Sequence, residues 1–211
     1  MADKEILIFV EGPSDKVFLE AYLYFLEDIP IKNFKVKDVT GKDNLSKRLL
    51  EIEKYDKTLI IFDADKDYES NKKEILSKTQ QKITEEQIFL FPNNQDDGDL
   101  ETLLLEIAKH DEFLKCFEGY LECIKSKEYY KPIKNISKSK WYAYLEVFEL
   151  QNFFKDKRNK NDKKNEEKII IDDKGKIRKE YKEEYEKLKE VIDFNSNSLI
   201  PLKDFLGQFA K

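Results

Sequence analysis

The sequence predicts an α/β fold with a central, mostly parallel sheet that is flanked by helices. Two observations lead to this prediction. Over the first ninety residues, short apolar runs alternate with amphipathic helical patterns, an order that produces parallel strands joined by helices. The first of these runs, Ile6–Val10, is also apolar throughout instead of alternating with polar residues, which is typical of a strand that is buried on both faces.

Four of these runs are predicted to be the strands, at Ile6–Val10, Phe34–Val39, Thr58–Phe62 and Gln87–Phe91. The first strand ends in Glu-Gly-Pro, and Ser14 can then cap a helix with an apolar stripe. After the second strand, Gly41-Lys42-Asp43-Asn44 is predicted to turn into a helix that carries three apolar residues, Leu45, Leu49 and Ile52. A polar helix around Ser70–Lys82 joins the last two strands.

The pattern becomes helical beyond residue 95 and divides the chain into four parts. These are an α/β core (1–110), a helical extension (111–151), a charged insertion (152–192) and an apolar segment that docks on the core (193–211). Helices are predicted at Asp99–His110, Glu112–Lys125 and Lys140–Gln151. The insertion is predicted to contain a solvated loop, a hairpin over 169–178 and a charged helix at Glu180–Ile192.

The composition excludes several classes of protein. Aromatic residues make up 13% of the chain, too many for a disordered protein even though 39% of the residues are charged. A single His and two Cys argue against a Ser-His-Asp triad, a zinc framework and a disulfide scaffold. Because no apolar run has the length of a signal peptide core or a membrane span, we expect a cytoplasmic protein without membrane association.

The net charge of −5 argues against a general coat for nucleic acid, but the charge is unevenly distributed. Residues 1–130 are net acidic and residues 131–211 are net basic. This division fits a metal-binding face beside a phosphate-binding face. From charge alone, an ordinary dipolar surface is the simpler interpretation.

Acidic residues follow the predicted strands at the edge of the sheet where α/β proteins bind ligands. Glu11 follows the first strand, Asp63 and Asp65 follow the third, and Glu101 lies downstream of the fourth. Carboxylates that lie together repel one another unless a cation lies among them, and hard oxygen ligands favour Mg²⁺ or Mn²⁺. Taken singly, Glu11 is also explained as a polar strand end, and Asp15 as a favourable charge in the first turn of a helix.

Two motifs resemble the TOPRIM domain of topoisomerases, primases, small ribonucleases and OLD (overcoming lysogenization defect) nucleases. They are Val10-Glu11-Gly12-Pro13-Ser14-Asp15 at the end of the first strand and Asp63-Ala64-Asp65 at the end of the third. The resemblance covers residues 4–110 and implies the Rossmann-like sheet of a TOPRIM domain. The segment from Asp193 to Leu206 also resembles the ending of a stand-alone, uncharacterised TOPRIM-like family.

The similarity to OLD-type nucleases implies a phosphodiesterase that uses Mg²⁺ or Mn²⁺, with two ions, on DNA or RNA. Glu11, Asp63 and Asp65 would hold the first ion, with Glu11 also among the catalytic residues, and Asp15 and Glu101 would help to hold a second. Lys140 resembles the lysine that OLD enzymes place beside the metals, where it would stabilise charge on the phosphate. Lys134 and Lys138 lie in the same basic stretch and compete for this assignment.

The same stretch is the predicted contact for nucleic acid. Lys134, Lys138 and Lys140 would bind phosphates, and the neighbouring Trp141 and Tyr142 would stack on bases unless their rings pack inside the protein. The chain shows no ATPase segment, so an ATPase partner would be a separate subunit, and a homodimer is a further assembly to consider. The alternative function is a TOPRIM-shaped binding or regulatory subunit without catalysis, and a third is nucleotidyl transfer.

Overall fold

The fold was analysed in a computed structural model, which describes residues 6–26, 31, 34–129, 131–152, 154 and 182–209. The hairpin predicted over 169–178 lies outside these residues, as does most of the solvated loop that was predicted before it. Most of the other predicted elements can be compared directly with the structure.

Within the described residues, four parallel strands form one sheet in the order β2-β1-β3-β4. The strands are β1 (Ile6–Val10), β2 (Phe34–Asp38), β3 (Lys57–Asp63) and β4 (Ile88–Phe91). In β1, β3 and β4, alternate apolar residues point to two separate hydrophobic clusters, one on each face of the sheet, whereas the apolar residues of β2 join the larger cluster only. The predicted α/β fold with a central parallel sheet is confirmed.

Helices cover both faces of this sheet. In chain order they are α1 (Pro13–Phe25), α2 (Leu49–Ile52), α3 (Tyr68–Lys78), α4 (Leu100–Glu106), α5 (Asp111–Lys125), α6 (Ile136–Val147), α7 (Lys182–Val191) and α8 (Ile200–Gly207). Helices α1, α4, α6, α7 and α8 bury their apolar faces in the larger cluster, whereas α2 and α3 pack on the opposite face. Among the described residues, no helix combines the length and the apolar character needed to cross a membrane.

Several elements differ from their predictions, among them α1, whose N-cap is Gly12 and not Ser14, and α4, which ends at Glu106 and not at His110. The helix expected after β2 begins as a 3₁₀ helix over Lys42–Arg48. Asn44 donates its side-chain amide to the Thr40 carbonyl there, and such side-chain bonds to the backbone compete with α-helical turns. Helix α6 starts before the predicted Lys140 and ends before the predicted Gln151, because Glu149 adopts a left-handed conformation with φ 59° that closes the helix.

The C-terminal segment packs on the core, as predicted from the return of apolar residues. Leu202, Phe205 and Leu206 of α8 are buried in the larger cluster. The charged helix predicted over Glu180–Ile192 is α7, and its Tyr185 and Leu188 are buried in that same cluster. This end of the predicted insertion is therefore a layer of the core and not a solvated appendage.

Glu20 of α1 is a buried carboxyl group and gives a prediction for stability. Its Oε2 atom has no hydrogen-bond partner among the described residues, and Lys16 Nζ lies 3.9 Å from its Oε1 atom. Burial raises the pKa of Glu20 to about 8, although Lys16 opposes the shift. The folded protein therefore keeps a proton that the unfolded chain loses at about pH 4.5, and stability falls as the pH rises through this interval to about 8.

Glu20→Gln should remove this loss of stability at high pH, because glutamine carries no ionisable proton. We expect the variant to match the wild type near pH 4 and to exceed its unfolding free energy by about 1–3 kcal/mol at pH 8.5. Denaturant unfolding across this pH range measures the difference. The exposed Glu122→Gln is the control and should leave the pH profile unchanged. Parallel profiles for wild type and Glu20→Gln would contradict the assignment.

Candidate metal centre

The carboxyl end of the sheet brings four acidic residues to one edge. Strands β1 and β3 are neighbours, so Glu11, just after β1, and Asp63, the last residue of β3, leave the sheet side by side. Asp15 lies in the first turn of α1 and Glu101 in the first turn of α4. We call these four residues the carboxylate group.

Burial and mutual repulsion act on Asp15 and Asp63. Burial, opposed by the Gly12 N–H and assisted by the charges of Glu11 and Glu101, raises the pKa of Asp15 to about 7. Burial also raises the pKa of Asp63 well above its usual range, with the charges of Asp15 and Glu11 adding to the shift. Each residue therefore lies close enough to the others for their charges to interact strongly.

The other two members each have a lysine nearby. Burial raises the pKa of Glu11, while Lys42 lowers it and Asp65 raises it. Burial likewise raises the pKa of Glu101, while Lys138 lowers it. The group is thus flanked by one cation from the segment after β2 and another from α6.

Backbone donors hold two of the carboxylates. Asp15 Oδ2 accepts the Gly12 N–H at 2.7 Å, and Asp63 Oδ1 accepts the Leu100 N–H at 2.9 Å. Glu11 Oε2 is buried and has no hydrogen-bond partner in the part of the chain that the structure describes. In that same part, no three Asp, Glu, His or Cys side chains form a ready-made group that could hold a metal ion. The chemistry of the donors fits a hard divalent cation, and the unpartnered Glu11 oxygen is a free ligand for it, but the side chains would have to rearrange around the ion.

Asp65 lies at the rim of the site. Its backbone exchanges two hydrogen bonds of 2.7 Å with Gly98, which adopts φ +146°, and Asp65 itself has φ 55°. A Cβ atom at Gly98 would come within 3.0 Å of Pro92 Cδ, so the close approach requires glycine. The Asp65 side chain remains 55% exposed and accepts a hydrogen bond from Lys42 Nζ at 2.7 Å. Among the predicted ligands, Asp65 therefore has a close ion pair at hydrogen-bond distance, whereas Lys138 lies 4.0 Å from Glu101.

Lys42 is a site residue that the sequence analysis missed, because Gly41-Lys42 was interpreted as the turn before a helix. The Gly41 N–H donates to the Glu11 carbonyl at 2.9 Å, and this bond fixes the start of the 3₁₀ helix against the end of β1. The Lys42 side chain is only 13% exposed and contacts both Asp65 and Asn71. The sequence does contain a signal for Lys42. This lysine lies in the turn after β2, and β2 pairs with β1, which is followed by Glu11.

The three predicted lysines occupy different surroundings. Lys138 Nζ lies 4.0 Å from Glu101 Oε1, at the edge of the carboxylate group. Lys140 Nζ instead forms an ion pair with Glu118 Oε1 of α5 at 2.7 Å. Lys134 is exposed just before α6. Of these three, Lys138 is the one that the structure brings to the acidic edge.

The aromatic residues of α6 also differ in their surroundings. Trp141 is fully buried, stacks on Tyr144 and meets Phe154 edge-on, so its ring belongs to the core. The Tyr142 hydroxyl lies 3.3 Å from Ser14 Oγ in α1. The interpretation that these rings pack inside is therefore correct for Trp141, while Tyr142 is half-buried beside the start of α1.

A comparison with protein families adds one finding. A family model described as "Protein of unknown function (DUF3226)" matches residues 5–210. The chain belongs to the DUF3226 family. No curated protein and no solved structure matches this DUF3226 protein.

The family match has a consequence for the site of this DUF3226 protein. It spans the sheet, the carboxylate group, Lys42, Lys138 and the C-terminal helix α8, so these parts lie within one family unit. Because the family description gives no activity, the chemistry must be argued from the site. Buried oxygen ligands flanked by two lysines can hold a divalent cation and contact an anionic group beside it.

Proposed function

We propose that this protein is a Mg²⁺- or Mn²⁺-dependent phosphodiesterase that acts on DNA or RNA in the manner of TOPRIM nucleases. The observation that carries the proposal is the carboxylate group, four acidic side chains at the carboxyl end of a parallel sheet with raised pKa values. Buried like charges oppose folding, and a cation of high charge density offsets this cost. The resemblance of the two strand-end motifs to the TOPRIM domain supports the same activity.

Glu11 and Asp63 are best placed to share an ion because they leave adjacent strands at one edge. Asp15 and Glu101 would complete the ligands or hold a second ion, and Asp65 would join them after leaving Lys42. When bound, the cation would stabilise charge on the attacking and leaving oxygens of a phosphodiester. The carboxylates themselves would orient the cation, and their partial burial would keep bulk water from competing with them.

Lys138 is the better candidate for contact with a phosphate oxygen. It approaches the carboxylate group from α6, whereas the predicted Lys140 is engaged by Glu118. An ammonium group at this position would bind the non-bridging oxygen of a phosphate and stabilise the charge that develops there. Exposed Lys134 would extend the same contact along a strand of nucleic acid.

The direct test is a cleavage assay with labelled single- and double-stranded DNA and RNA. We expect the wild type to cleave at least one of them with Mn²⁺ or Mg²⁺ and none of them in EDTA. Glu11→Gln, which keeps the size of the side chain, should be slower by about a hundredfold or more. Equal, metal-dependent cleavage by both proteins after the same purification would overturn the proposal.

A second candidate function is a binding or regulatory subunit without catalysis, working with a separate ATPase subunit. The Lys42–Asp65 pair favours it, as does the lack of a preformed metal group among the described residues. It predicts that Mn²⁺ leaves the melting temperature unchanged and that a pull-down from the native host recovers a stable partner. Recovery of no partner would count against it.

Lys138→Met should weaken the binding of a cleavage-resistant phosphorothioate oligonucleotide by about threefold to tenfold, because one contact between an ammonium and a phosphate is lost. The slope of the affinity against salt concentration should fall by about one. Lys140→Met is the matched comparison, since Lys140 lies two residues away on α6 but pairs with Glu118. Fluorescence anisotropy at several salt concentrations measures both. A larger loss for Lys140→Met would restore the assignment made from sequence.

A further inference from the structure

Lys42 occupies a position between two carboxylates. Its Nζ atom donates to Asp65 Oδ2 at 2.7 Å, and its charge opposes the rise in the pKa of Glu11 that burial causes. The side chain is 13% exposed and is held by Asn71 as well, which in turn donates to the Ala64 carbonyl. The ammonium group is thus fixed at the place where the strand-end acids meet.

An ammonium and a divalent cation that bind the same carboxylate repel each other and compete for its charge. Asp65 Oδ2 is bound by Lys42, and a dication placed beside Glu11 would repel the nearby ammonium. The ion would therefore bind Asp65 either against the charge of the ammonium or by displacing it, and both lower the affinity of the site for the ion. Without a metal ion, the same ammonium offsets part of the repulsion between the acids.

We propose that Lys42 is an internal counter-ion of the site, which holds Asp65 in the metal-free protein and competes with the divalent cation for it. Lys42 is a positioning residue and acts through Asp65. The inference rests on the proposed function, because it takes the carboxylate group as the metal site. It adds a residue that sets the affinity of that site for its cation.

The competition predicts two effects of opposite sign. Lys42→Met should lower the melting temperature of the metal-free protein, since Glu11 and Asp65 lose their counter-ion. The same variant should bind Mn²⁺ about tenfold more tightly, since the ion no longer displaces an ammonium. A lysine with a merely structural role would give a variant with lower stability and weaker or unchanged Mn²⁺ binding.

The experiment is Mn²⁺ titration by calorimetry, with thermal unfolding of the metal-free proteins measured alongside. Lys42→Gln serves as a second neutral variant, and Lys42→Arg, which keeps the charge, should bind Mn²⁺ like the wild type. Lys82→Met removes the ion-pair partner of Glu53. These two residues precede β4 and β3, at the amino end of the sheet and away from the carboxylate group, so the variant should leave the Mn²⁺ affinity unchanged.

The possible results separate the two proposals. If the wild type binds Mn²⁺ and Asp63→Asn does not, but Lys42→Met and Lys42→Gln bind with wild-type affinity, the counter-ion inference is wrong and the metal site stands. If no protein in the series binds Mn²⁺, both proposals are wrong. If the neutral variants bind more tightly and Lys42→Arg does not, the inference is supported.

Discussion

Asp63→Asn should stabilise the metal-free protein and abolish its response to Mn²⁺. The pKa of Asp63 is raised by burial first and then by Asp15 and Glu11, so its contribution to stability is lost as the pH rises through that pKa. Asparagine has no charge to bury, and its Oδ1 can still accept the Leu100 N–H that starts α4. At pH 8 we expect a gain of about 1–3 kcal/mol in unfolding free energy without metal.

The wild type should gain stability with Mn²⁺, whereas the variant should not, because a ligand stabilises only the folded state that binds it. Thermal unfolding without Mn²⁺ should therefore give the variant the higher melting temperature. With Mn²⁺, the melting temperature of the wild type should rise and that of the variant should stay the same. Asp97→Asn is the matched control, since Asp97 also accepts a backbone N–H, that of Tyr68 at 2.8 Å, but lies in an exposed loop. A Mn²⁺ response retained in Asp63→Asn would remove Asp63 from the site.

Trp141→Ala should cost about 3–5 kcal/mol of unfolding free energy, the largest effect on stability that we expect from a single side chain. Trp141 is 1% exposed and contacts Tyr144 and Phe154 with its ring. Its loss opens a cavity beneath α6, the helix that carries Lys138. Denaturant unfolding measures the cost.

Trp141→Phe should lose much less, about 1–2 kcal/mol, because it keeps an aromatic ring in the same place. Tyr129→Ala is the surface control, since Tyr129 is 78% exposed. A loss of unfolding free energy below 1 kcal/mol for Trp141→Ala would contradict the placement of the ring in the core. Weaker oligonucleotide binding by this variant at unchanged stability would show instead that the ring contacts the ligand.

Strands β1, β3 and β4 were predictable from sequence because each contains an unbroken apolar run that the two hydrophobic clusters bury from opposite sides, whereas β2 alternates apolar and charged residues. The positions of Glu11 and Asp63 followed directly, since any parallel arrangement of these strands places both residues at one edge. Helix α6 was harder, because its limits depend on the left-handed Glu149 and not on apolar spacing.

The roles of the lysines depend on tertiary packing. Lys138 and Lys140 are two residues apart, so they point about 200° apart around an α-helix. Burial of Trp141 and Tyr144 fixes the rotation of α6, and that rotation turns Lys138 to Glu101 and Lys140 to Glu118. The sequence pattern places lysines on both sides of the apolar stripe of α6, so it does not show whether Lys138 or Lys140 faces the carboxylate group.

The 4.0 Å approach of Lys138 to Glu101 has a consequence for how a polyanion meets this surface. A basic side chain of α6 and an acidic side chain of the strand-end group therefore lie next to each other on this surface. A flexible polyanion is therefore drawn to the α6 side and turned away from the acidic edge, which gives the encounter a direction. Salt shortens the range of both forces, so this orientation should weaken as ionic strength rises.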